Sequence, residues 1–144
     1  MSTSQHIDQS SSGEGMEELR RSPMMAHLLD ALEAGTDIGH YGRLTFVMVA
    51  RHFLSEEQMV ELLSKQPDHD ASEAQRLVRQ VQAHDYNPPK PDRIHQWQAE
   101  QEFQICPNPD DPNACNVYRD LRFPDGIYEN INEFWEEKAH EEEQ

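Results

Sequence analysis

The stretch GHYGRLTF, residues 39–46, sets a histidine and an arginine at the start of an apolar run. His40 and Arg43 are three residues apart, so on a helix they point to nearly the same side. Gly39 and Gly42 leave room for close approach to the backbone. Free N–H groups at a helix N-terminus, the helix dipole and an arginine together make an anion site, with phosphate the usual guest. A plainer role also fits: Gly39 as a turn residue and Arg43 paired with a surface carboxylate. Arg76 and Arg79 share a second helical face that could follow a phosphodiester backbone, or lie solvated among salt bridges. Tyr86 and Trp97 could stack on bases or simply pack.

Two cysteines, Cys106 and Cys115, bracket CPNPDDPNAC. In a cytoplasmic chain such a pair is more often free thiols or half of a metal site than a disulfide. A zinc site would need completing by His84 or His95, and the spacing matches no closed Cys/His pattern. Catalytic chemistry finds no footing. DHD at 68–70 reads as a polar turn, with Asp70 or Ser72 as a helix cap. No G-x-S-x-G, P-loop or HExxH motif occurs, so no enzyme is expected.

The elements that must position these residues are helical. Residues 1–21 open Ser/Gln/Gly-rich and are expected as a disordered leader. From Pro23, Met24, Leu28 and Leu32 recur every four residues, and Gly35 marks the stop. A second helix from about Tyr41 is apolar almost all round and should be the central one. Ser55 opens SEEQ, a capping box for a third helix that buries Met59, Val60, Leu62 and Leu63. A fourth, over about 71–83, carries Ala74, Leu77, Val78 and Val81 inward. DYNPPKP then forbids helix. A short helix over about 92–103, the cysteine loop and a last helix from about Ile127 complete a mainly α domain. Residues 22–132 are expected to form that compact helical domain and 133–144 an acidic helical tail.

Charge constrains the partners. The chain of 144 residues carries 28 acidic against 12 basic residues, a net of −16. Residues 133–144 hold six Glu against Lys138, but most of the excess lies on the domain itself. Nine of the basic residues are Arg and only three Lys. An acidic, Lys-poor surface keeps a protein hydrated in concentrated salt, where the Debye length shrinks to about 3 Å. A salt-loving source and a basic partner both fit. No eighteen-residue apolar run and no signal peptide is visible, so a soluble cytoplasmic protein without membrane contact is expected.

Taken in order, HYGR opening an apolar helix, SEEQMVELLSKQPDHD, a further helix, DYNPPKP and ICPNPDDPNAC resemble a known arrangement. It is that of the C-terminal domain of the large, regulatory subunit of archaeal and eukaryotic DNA primase. The resemblance covers about residues 23–120. It implies an α-helical domain that helps a catalytic primase subunit start primers by binding the 5′-triphosphate of the first nucleotide and the single-stranded template. His40 and Arg43 match the His and Arg that contact the triphosphate there. Arg79 lies on the helix turned toward nucleic acid, with Arg76 and Tyr86 as further candidates. That family holds a [4Fe–4S] cluster through four cysteines. Here the first two positions fall on Met24 and Pro91, and only Cys106 and Cys115 match, so no cluster and no other cofactor is expected.

The chain is then similar to the small, cluster-free third primase subunit of some archaea. It would be a non-catalytic accessory of a primase or primase–polymerase, with single-stranded nucleic acid and NTP as ligands. The alternative is a protein-interaction module on the same fold that engages replication machinery without binding nucleotide. A net charge of −16 opposes nucleic-acid binding at long range, unless molar salt screens it.

Overall fold

The computed structural model describes residues 14–123 and residue 127. Those residues form helices and turns with no strand among them, as the sequence predicts. Ser22 caps α2 (Pro23–Glu33): its Oγ accepts from the Met25 N–H at 3.2 Å, and Pro23 occupies the first helical position, where a missing N–H costs nothing. The far end closes as a Schellman motif. Gly35 (φ +73°) donates to the Leu32 carbonyl at 3.1 Å and Thr36 to the Ala31 carbonyl at 2.9 Å. Met24, Met25, Leu28, Leu29 and Leu32 turn inward from this helix.

The central helix is α3 (Gly39–Ala50), which touches α2 and three later helices, α4 (Glu56–Leu63), α5 (Ala71–His84) and α6 (Pro91–Gln98). Its Phe46, Val47 and Val49 are fully buried. α4 begins with the expected capping box: Gln58 N–H donates to Ser55 Oγ at 3.2 Å and Ser55 N–H to Gln58 Oε1 at 2.9 Å. α5 is capped by Asp70, whose Oδ1 accepts from the Glu73 N–H at 2.9 Å, and it buries Ala74, Val78 and Val81. A 3-10 turn (Pro112–Cys115) and α7 (Val117–Asp120) close the described chain.

Three expectations meet differences. Part of the segment expected as a disordered leader is helical, at residues 14–19 (α1), and Leu19 is fully buried in the core. Its apolar contact with the core and the Arg20 ion pairs to Asp30 (2.9 Å) and Glu33 (3.4 Å) hold it on α2. The short helix expected to reach about 103 stops at Gln98, because the following residues turn to deliver Gln101 to the start of α3. Val60 is half-buried rather than buried. The last helix with Ile131, Phe134 and Trp135, and the acidic tail, lie outside the described residues. Among the described residues no helix is long and apolar enough to cross a membrane.

Candidate functional site

The start of α3 is gripped from three sides. Asp37 Oδ1 accepts from the Gly39 N–H at 2.9 Å. Gln66, 4% exposed, accepts from the Ile38 N–H at 3.0 Å and donates to the Thr36 carbonyl at 2.7 Å. Gln101 accepts from the Tyr41 N–H at 3.0 Å and donates to the Ile38 carbonyl at 2.8 Å. The glycines have local reasons too. Gly39 has φ +75°, and a Cβ there would stand 2.5 Å from Gln101 Oε1. A Cβ on Gly42 would meet the Ile38 side chain at 2.9 Å. An anion at this helix end would have to displace side chains already accepting from its amides.

His40 and Arg43, expected to act together, have different surroundings. Arg43 turns to Asp37 (3.3 Å) and Gln66 (3.4 Å), and its side chain is 18% exposed. His40 instead lines a cavity of about 500 Å³, within the size range of small-molecule sites. Four-residue spacing puts His40, Leu44 and Met48 of α3 on one wall, where they meet Leu77 and Gln80 of α5. Arg93 and Trp97 of α6 line the same cavity, with Tyr86, Lys90 and Tyr118. Trp97 stacks on Tyr41 at 5.4 Å, and the Arg93 guanidinium lies 5.9 Å from the Trp97 ring centre. Among the described residues no carboxylate lies within ion-pair reach of Arg93.

The prolines of DYNPPKP shape one rim. Pro88 and Pro89 are buried, and the Tyr118 hydroxyl donates to the Pro88 carbonyl. Arg51, just past α3, donates to Asp85 Oδ1 at 2.6 Å and to the Tyr86 carbonyl at 3.1 Å, fixing where this segment leaves α5. Asp85 makes the turn in the left-handed region at φ +51°. Tyr86, 40% exposed, stacks on His84 at 5.2 Å. The other predicted arginines stand apart from the cavity. Arg76 is exposed on α5, and Arg79 pairs with Glu56 at 3.5 Å. Lys90 and Arg93 escaped the sequence reading, although they show a spacing like that of His40 and Arg43: two basic residues three apart at a helix start.

Burial also perturbs a histidine beside this region. His52 packs against Phe123 with ring centres 5.6 Å apart. Desolvation, helped by the Arg51 charge and opposed by Asp85, pushes its pKa down from 6.5 to about 4. Between those values the unfolded chain binds more protons than the folded one, so stability falls as pH drops from 6.5 toward 4. The ring is only half-buried, and screening limits the loss to about 1–2 kcal/mol. The expected result is a thermal midpoint that falls less between pH 7 and pH 4.5 in His52→Phe than in the wild type. Equal slopes would assign the acid sensitivity to other groups, including His69, whose pKa burial and Arg43 also lower.

The cysteines are not joined in a disulfide, and both are fully buried. Desolvation, then the hydrogen bond with Cys106, push the Cys115 thiol up to about 12. The donor set does not fit a four-cysteine iron–sulfur cluster. Of the other two matched positions, Met24 is fully buried among the core side chains of α2 and Pro91 is the first residue of α6. Of the two histidines weighed beside the thiols, His95 reaches them, at 3.8 Å from Cys115 Sγ, while His84 stacks on Tyr86. No protein-family model, curated protein or solved structure matches the chain, so what these sites do must be read from their own residues.

Proposed function

We propose that this chain is a non-catalytic accessory subunit of a DNA primase or primase–polymerase, binding the initiating nucleotide and the single-stranded template. One observation carries the reading. In a protein of net charge −16, the described residues lining the cavity include Lys90, Arg93 and His40 and not one carboxylate. Local cations with aromatic walls suit an aromatic anion. A base can lie against Trp97, Tyr86 or Tyr118 while phosphates meet Arg93, Lys90 and His40. On this reading the triphosphate is held by His40 with Lys90 and Arg93 at the start of α6, in place of the expected His40–Arg43 pair. Net acidity weakens capture at long range and leaves selection to these short-range contacts.

The test is binding of a 5′-triphosphate oligonucleotide against its 5′-hydroxyl counterpart, in low and in molar salt. The triphosphate is expected to bind more tightly in both. Arg93→Ala is expected to cost about 1.5–3 kcal/mol, the range for a charged hydrogen bond. Arg43→Ala, which removes a group held by Asp37, should leave the preference intact. Equal binding of both ends by wild type would sink the reading.

A second reading has its own support. The arginines matched to nucleic-acid contacts, Arg43 and Arg79, are engaged by Asp37 and Glu56. A protein-interaction module needs no free arginine there, and its cavity would take an apolar or aromatic side chain of a replication protein.

A further inference from the structure

We propose that His95, Cys106 and Cys115 form a zinc(II) site that ties α6 to the loop leading into the 3-10 turn. One ligand atom from each residue lies within 4.8 Å of the other two. A tetrahedral zinc, with Zn–S about 2.3 Å and Zn–N about 2.0–2.1 Å, sets S···S near 3.8 Å and S···N near 3.6 Å. His95 Nε2 and Cys115 Sγ already stand at 3.8 Å, and the other two pairs need to close by about 1.2 Å at most. Thiolate and imidazole are the donors that select zinc over hard cations.

Charge balance favours the ion where the thiols are. Cys106 and Cys115 are both fully buried, and an isolated thiolate there is costly. Zinc binding sends one proton from each thiol to solvent and leaves two thiolates around a dication, a neutral centre. Three protein ligands leave a fourth position for water.

The surroundings orient the set. Gln98 Oε1 accepts from the Cys106 N–H at 2.8 Å, and its amide nitrogen lies 3.4 Å from His95 Nδ1. Ligation through Nε2 places the ring proton on Nδ1. His95 is half-buried, so water can accept that proton in place of the long Gln98 contact. The 3-10 turn that carries Cys115 packs on both α2 and α6. His95 sits on the side of α6 toward this turn, while Arg93 and Trp97 line the cavity. The ion would therefore fix the helix that bears the proposed nucleotide contacts, although its presence does not depend on that reading.

The experiment uses the full chain, stripped of metal and kept reduced with a phosphine, titrated with cobalt(II) and then zinc(II). One equivalent of cobalt should give thiolate charge-transfer and tetrahedral d–d bands, and one equivalent of zinc should abolish them. Two protons should be released per ion. Cys106→Ser and Cys115→Ser should each weaken the charge-transfer band and the affinity. His95→Gln should lose more affinity than the roughly 10–100-fold of an outer-shell change. Buried-thiol variants can fail to fold, so wild type carries a second readout: zinc should slow labelling of both cysteines by a thiol reagent. Cobalt bands without thiolate character, or labelling equally fast with and without zinc, would overturn the proposal. Neither readout involves nucleotide, so failure here is separable from failure of the primase reading.

Discussion

Phe46→Ala is expected to lower the unfolding free energy by about 3–5 kcal/mol. Phe46 is fully buried on α3, the helix that touches α2, α4, α5 and α6. Removing its ring forfeits transfer free energy and leaves a cavity that four packed neighbours cannot easily collapse into. Domains of this size have only about 5–15 kcal/mol in total, so the variant should be close to unfolding. Denaturant titration would show a lower midpoint with an unchanged slope. Phe46→Leu keeps most of the volume and should cost clearly less. Equal losses for the two would mean that the site relaxes around either side chain and that the packing argument fails.

Gln101→Ala is expected to cost about 2–4 kcal/mol, unusually much for a half-buried glutamine. The side chain accepts from the Tyr41 N–H at 3.0 Å and donates to the carbonyls of Ile38 (2.8 Å) and Phe103 (3.1 Å). Alanine leaves all three backbone groups without that partner and removes the packing against Gly39. The effect should be local as well as global: the Tyr41 amide should exchange faster with solvent. Gln101→Glu is the informative companion. It keeps an acceptor at the positive end of α3 but loses both donors, so it should fall between wild type and alanine. A neutral Gln101→Ala would mean that water replaces the glutamine at no cost.

The largest consequence for function is how the start of α3 is held. Histidine, glycine and arginine at a helix entrance make an anion site in isolation. In the folded chain Gln66 and Gln101 turn that entrance inward, and Arg43 is drawn to Asp37 and Gln66. The cations on the cavity lining, Lys90 and Arg93, stand at the start of α6, and Arg93 lies beside Trp97. The two proposed sites meet on that one short helix: its Arg93 and Trp97 face the cavity, and its His95 approaches the thiols.

Much of the helical frame was legible from sequence, because its signals act over a few residues. The Ser55/Gln58 box, the Asp70 cap and the Gly35 stop close by bonds within one turn, so their partners lie three or four positions away. The stripe of Met24, Leu28 and Leu32 follows from helical period alone. The residues in α1 were hidden because two apolar positions, Met16 and Leu19, make too short a stripe in polar company to mark a helix. Tertiary structure decided the sites. Nothing local tells Gln101 from other surface glutamines until the chain brings it to Tyr41, sixty positions away. Nor does spacing choose His95 over His84 as the neighbour of the thiols, or say that Arg43 turns to Asp37 while His40 lines a cavity. Caps and stripes are settled by the geometry of one helical turn; polar partnerships between distant segments are settled only when packing sets which groups must be satisfied together.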